Sequence, residues 1–185
     1  MTTVFIAGSI SISRLHDKVK KRIESVVDSD LDVVVGDADG ADTSIQAVLL
    51  AKGARQVTVY CSGEQPRNNV ADWPVKNVFP QAARGSRAYF TAKDIEMAHE
   101  SDYGLMIWDC KSTGTLSNVI ELLKEEKKSV VFVNKHKDFV TVADVSGLDH
   151  LLTFMSEHAR TKAEEKISLS AKIAGISRKQ FTLAI

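Results

Sequence analysis

Short apolar runs alternate along this chain with segments in which apolar residues recur every three or four positions. Val4-Phe5-Ile6-Ala7 is too short for a helix and reads as a strand. Leu15, Val19, Ile23, Val26 and Val27 then form one stripe opposite Asp17, Lys18, Lys20, Lys21 and Arg22, which predicts an amphipathic helix over 15–27. The unit repeats as a strand at Asp32-Val33-Val34-Val35 and a helix over 41–52, closed by Gly53 where a left-handed residue is commonly needed. Further strands are predicted at 56–60, 103–108 and 130–133, with helices over 88–100 and 115–127. A short edge strand over 139–142 and a helix over 148–158 follow.

Strands that are apolar throughout and separated by helices call for a parallel sheet covered on both faces. The expected fold class is therefore α/β, a three-layer Rossmann-like fold whose mainly parallel sheet has about five to seven strands with helices on both faces. Residues 1–160 are expected to form the Rossmann-like domain, and 161–185 a C-terminal helical tail suited to an oligomer contact. The rhythm breaks over 62–85, which holds Pro66, Pro74 and Pro80 together with Gly63, Asn68, Asn69 and Asn77. A long surface loop is expected there, of the kind that often serves as a lid or binding wall.

Composition narrows the partners. Lys+Arg 24 is balanced by Asp+Glu 24, for a formal net charge of 0, which argues against a chain that coats nucleic acid or an anionic membrane. Nucleic acid is disfavoured as a partner and a membrane is not expected, while a small anion in a local cationic site fits. No apolar run reaches the roughly 20 residues of a spanning helix, and the first residues lack a basic region, so the cytoplasm is the expected compartment. Cys61 and Cys110 stand apart and outside any zinc spacing, and the histidines form no HExxH pair. No disulfide, metal site or cofactor is expected.

Ligands of an open parallel sheet bind beyond the carboxyl ends of its strands, where helix N-termini present free N–H groups. That rule selects three turns. The first carries Gly8 and Ser9, which suit close approach of a ligand. The second, Gly36-Asp37-Ala38-Asp39-Gly40-Ala41-Asp42, sets carboxylates between glycines. Asp37 and Asp39 are candidates for reading ribose hydroxyls or base amino groups, or equally for turn-forming roles, and Asp42 suits a helix first turn. The third, Asp109-Cys110-Lys111-Ser112-Thr113-Gly114-Thr115, offers hydroxyls and consecutive N–H groups as a phosphate cradle, through Ser112, Gly114 and Thr115. Arg87, in the cluster Arg84, Arg87, Lys93 and Asp94, is the candidate counter-charge.

On these residues the chain resembles the SLOG superfamily of Rossmann-like proteins, which includes LOG-type phosphoribohydrolases and DprA-type DNA-processing proteins. The resemblance covers about residues 3 to 133 and rests on Phe5-Ile6-Ala7-Gly8-Ser9, on Gly40-Ala41-Asp42, which looks like the family's GAD turn, and on Gly114-Thr115, which looks like its GT turn. It implies a sheet that binds nucleotides or nucleotide-derived ligands, often as a dimer. The phosphoribohydrolases place their GT turn in a PGGxGTxxE pattern with a catalytic glutamate. Here Ser112 and Thr113 precede Gly114, Ser117 and Asn118 occupy the region of that glutamate, and Glu121 follows a helical turn later.

The leading expectation is a sensor or binding domain for a nucleotide or nucleotide-derived ligand, assembled as a homo-oligomer, a dimer. The alternative is an N-glycosidic hydrolase or transferase acting on nucleotides. That chemistry needs a carboxylate beside the anomeric carbon, for which Asp109 and Asp42 are the candidate catalytic residues.

Overall fold

The computed structural model describes the backbone of residues 1–183 and the side chains of residues 1–178. β1 (Thr3–Gly8) lies in the middle of the sheet because its residues are apolar on both faces: Val4 and Ile6 point to one layer, Phe5 and Ala7 to the other, and all four are buried. It is followed by α1 (Asp17–Asp28), β2 (Asp32–Gly36), α2 (Ala41–Ala51), β3 (Val57–Ser62) and β4 (Val75–Val78). α3 (Arg87–Glu100) leads back to β5 (Tyr103–Trp108), and α4 (Thr113–Lys124), β6 (Lys128–Val133), β7 (Asp138–Val142), α5 (Val145–Leu152), α6 (Glu157–Ile167) and α7 (Leu169–Leu183) complete the described chain.

The sheet order is β4-β3-β2-β1-β5-β6-β7, parallel throughout except for the β6–β7 pair. Packing divides into two layers. Val19, Ile23 and Val26 of α1 and Ile45 and Leu49 of α2 cover the face of Val4, Ile6, Leu105 and Ile107. Met97 of α3, Leu116 and Ile120 of α4, and residues of α5 to α7 cover the face of Phe5, Ala7, Met106 and Trp108. This is the expected three-layer α/β architecture with helices on both faces, and Gly53 has the anticipated left-handed φ of 72°.

Three local features differ from the sequence reading. The 62–85 segment is not loop throughout, since Val75–Val78 forms the outer strand β4, parallel to β3. Its residues alternate exposed and half-buried, as an edge strand allows, so it lacks the apolar run that marks the inner strands. The helix expected over 148–158 is two helices. α5 ends at Leu152, and α6 starts afresh behind Ser156, whose hydroxyl accepts from the Ala159 N–H at 3.2 Å. Finally, α6 begins before residue 161 and packs Ala159, Ala163 and Ile167 into the same core layer as α4, with Leu169 and Ile176 of α7 beside them. The last two positions of the expected tail, 184 and 185, lie outside the described residues. Among the described residues no helix is long and apolar enough to cross a membrane.

Candidate functional site

The chain steps outward from β1 to β2, β3 and β4, then returns to the other side of β1 as β5. The connections after β1 and β5 therefore diverge, and the carboxyl ends of these strands open a crevice between them. A cavity of about 340 Å³ fills it. Its walls are the turn after β1, with Gly8 and Ile10, the start of α4, with Ser112, Gly114 and Thr115, and one side of α3, with Arg87, Phe90 and Lys93.

The start of α4 is the most open part of that wall. Ser112 stands at the N-cap, yet among the described residues no side chain caps the helix, and the first-turn N–H groups of Thr113, Gly114 and Thr115 have no capping acceptor there. A Cβ placed on Gly114 would meet nothing closer than Ser112 Oγ at 3.9 Å, so this glycine borders free space. Asn118, one turn further on, is only 6% exposed, lines the cavity, and its amide has no hydrogen-bond partner among the described residues. An amide carries two donors and an acceptor, and here they are open to the cavity, where water or a ligand can meet them. Arg87, at the first position of α3, is exposed on the same cavity and pairs with no carboxylate among the described residues.

Other candidates are spent inside the protein. Ser9 and Thr115 share a buried hydroxyl contact of 3.1 Å, and Ser9 Oγ also accepts from the Asp109 N–H at 3.1 Å. These hydroxyls tie the β1 turn to α4. Gly40 has φ 78°, and a Cβ there would lie 2.0 Å from the Ile10 carbonyl oxygen, so this glycine lets two turns pack backbone to backbone. Asp39 is exposed and accepts from Asn68 Nδ2 at 3.0 Å, outside the cavity wall.

Asp37 is 2% exposed and fully engaged by a residue of the long loop. Arg67 donates to Oδ2 from its backbone N–H at 3.0 Å and from Nε at 3.1 Å, and to Oδ1 from Nη2 at 2.8 Å. Burial pushes the Asp37 carboxyl up, but the Arg67 hydrogen bonds and the nearby Lys93 outweigh it and hold it below its ordinary range. The same guanidinium lies 4.9 Å over the Phe90 ring. Asp37 thus anchors the loop that forms one lip of the crevice, and Arg67, not Asp37, reaches the cavity.

Lys93 is 3% exposed. Its ammonium donates to Asp94 Oδ1 at 2.8 Å and lies 3.7 Å from Asp37 Oδ1. A Cβ on Gly36 would come within 2.6 Å of that ammonium and 2.4 Å of Asp42 Oδ2, so the absence of a side chain at 36 is what admits both charges beneath β2. Burial opposes the Lys93 charge, yet Asp94, Asp42 and Asp37 hold its pKa above the usual value. For Asp42 burial dominates and pushes the carboxyl up to about 6, against the attraction of Lys93 and a 3.2 Å hydrogen bond from the Ala38 N–H. Asp42 lines the cavity, so a carboxyl whose pKa burial has raised faces its interior.

Asp109 does not line this cavity. Its Oδ1 accepts from the N–H groups of Lys111 at 3.0 Å and Ser112 at 2.7 Å, and its Oδ2 from Ser11 Oγ at 2.6 Å. Burial raises its carboxyl, but these hydrogen bonds win and lower it. They fold the loop in which Cys110 takes a φ of 66°. Asp109 is thereby a loop-shaping group, and the two catalytic candidates do not face a common space: Asp42 belongs to one cavity and Asp109 to a second that shares Ser112 and Ile10 with it. Glu121 also lies outside the cavity, where it accepts from Lys124 at 2.8 Å.

Arg67, Lys93, Asn118 and Phe90 were not among the expected site residues. Lys93 had a readable signal, because it falls four residues before Met97 on the buried stripe of α3, where a lysine is out of place without a partner. Arg67 had none, being one cation within an irregular loop.

The sequence matches no family model and no curated protein. One similar solved structure is DNA processing protein A from Helicobacter pylori, described for its single-stranded DNA binding mode, with 16% identity, a TM-score of 0.54, and coverage of 90% of this chain and 80% of that one. The likeness shows a common Rossmann-like fold. It also corrects the view that neutral charge disfavours nucleic acid, since a protein of this fold binds single-stranded DNA. Net charge sums over the whole surface and hides where cations gather. In this chain Arg87 stands at the crevice without a carboxylate partner among the described residues, whereas Arg67 and Lys93 there are matched by Asp37 and Asp94.

Proposed function

We propose that this protein binds a nucleotide-type ligand in the crevice between the carboxyl ends of β1 and β5. The observation that carries the reading is the pairing of an uncapped helix start with the unpartnered amide of Asn118 in one cavity wall. The free N–H groups of α4 suit a phosphate, Arg87 supplies the counter-charge, and Asn118 suits a sugar hydroxyl or base edge. This placement is in keeping with the resemblance to the SLOG superfamily. Asn118 stands three residues after Thr115, where the hydrolase pattern has its glutamate, and an amide neither takes up a proton nor attacks carbon at neutral pH. Binding is therefore favoured over hydrolysis. Isothermal titration with adenosine, adenosine 5′-phosphate and ADP-ribose tests the reading. Binding of the phosphorylated compounds, weakened by Arg87→Ala, is expected; no heat from any of them with folded protein overturns it.

A second reading is that the nucleotide bound is one unit of a single strand. The fold shared with a single-stranded-DNA-binding protein favours it, as does the exposure of Phe90 at the crevice, where an aromatic ring can stack on a base. Fluorescence anisotropy with a labelled deoxythymidine oligomer distinguishes the two, because only this reading expects affinity to rise with strand length.

A further inference from the structure

Beside the crevice lies a second cavity of about 510 Å³, which shares Ile10 and Ser112 with the first. Its cations come from two elements far apart in sequence: Lys111 from the loop before α4, and Lys162 and Lys166 from α6. None of the three ammonium groups pairs with a carboxylate among the described residues. Lys162 and Lys166 stand four residues apart on one helix, the spacing at which like charges repel. The one carboxylate in the wall is Asp109, whose oxygens are already occupied by Ser11 and by the Lys111 and Ser112 N–H groups.

A second, independent feature points the same way. Thr113 is 8% exposed and lines this cavity, and its hydroxyl has no hydrogen-bond partner among the described residues. It sits at the first position of α4, so an unmet hydroxyl and three unpaired ammonium groups converge on one space beside the helix start. Each asks for an acceptor-rich anion, and phosphate supplies it.

Resting on the nucleotide reading above, we propose that this cavity is a second phosphate subsite, so that the ligand carries two phosphate groups, one on either side of the Ser112 turn. Ile10 and Ser112 stand in both walls, so the two cavities are neighbours across this turn. The second phosphate belongs either to a doubly phosphorylated nucleotide or to the next unit of a strand, and the chemistry of the subsite is the same for both.

Isothermal titration with three probes tests this: adenosine 5′-phosphate, adenosine 3′,5′-bisphosphate and the dinucleotide pApA. At least one of the two-phosphate probes is expected to bind about tenfold or more tightly than the monophosphate. In Lys162→Ala/Lys166→Ala, whose changed side chains are exposed on α6, that ratio is expected to fall towards about one. A gain with the bisphosphate alone identifies a small-molecule ligand, and a gain with pApA alone a strand. Monophosphate binding with no gain from either probe, or a gain that survives loss of both lysines, overturns the subsite while leaving the nucleotide reading in place. No binding of any probe overturns both.

Discussion

The Lys93 ammonium and the Asp37 carboxylate lie 3.7 Å apart, both buried, and join α3 to the end of β2. Around this contact stand Asp94, Asp42 and the Arg67 guanidinium, so each charge is compensated only while the others stay in place. Removing a single partner from such a group leaves charge in a poorly solvated space, which is more damaging than never having placed the group there.

Lys93→Met is therefore expected to destabilise the fold by about 3 kcal/mol or more. The double variant Lys93→Met/Asp42→Asn should recover part of that loss, because one of the stranded carboxylates is gone. Urea denaturation of the wild type, the two single variants and the double variant measures the coupling, and additive changes would deny it.

Asp42 gives a pH signature. Its folded-state pKa of about 6 exceeds the ordinary carboxyl value of 3.8, so protonation favours the native state. That contribution is complete below the unfolded pKa of 3.8 and is lost as pH rises through about 6. Relative to the wild type, Asp42→Asn is expected to gain on the order of 2 kcal/mol between pH 4 and pH 7. Denaturation midpoints at several pH values check it, and a difference independent of pH would contradict it.

Gly114→Ala separates folding from binding. The added methyl group meets only Ser112 Oγ at 3.9 Å and sits in a helical segment, where alanine is favoured over glycine by at most about 1 kcal/mol. Thermal stability should hold or rise slightly. Binding of adenosine 5′-phosphate should weaken, since the methyl group occupies the space in front of the free N–H groups.

Asn118→Leu keeps the branched shape and removes an unmet polar group. The free protein is expected to melt at the same temperature or higher, while affinity for adenosine 5′-phosphate falls about tenfold. A clear loss of stability in the absence of ligand would show that the amide serves the fold instead.

The inner strands were legible because burial on both faces demands unbroken apolar residues, as in Val33-Val34-Val35 and Leu105-Met106-Ile107. β4 was not, since an edge strand satisfies only one side and Val75-Lys76-Asn77-Val78 carries no such demand. The three turns lie at the carboxyl ends of β1, β2 and β5 for the same topological reason, but the contacts within them depend on distant partners. Asp37 reads as an available carboxylate until Arg67 arrives from a loop 30 positions away. Asp109 reads as a free carboxylate for an anomeric carbon until Ser11 and the following N–H groups claim its oxygens. Sequence placed these charges at the carboxyl edge of the sheet. Which of them remained available was a matter of tertiary pairing.

The position of β1 between β2 and β5 has a consequence for how the molecule comes into being. Val4 must wait for Tyr103, and Gly8 for Ile107, before the middle of the sheet is whole. A half-made chain emerging from the ribosome can pair β1 with β2 and β2 with β3, yet exposes an unfilled edge on the apolar strand β1 until β5 has been synthesised. The crevice opens along that same seam, so the protein acquires its cavity in the very step that closes its sheet.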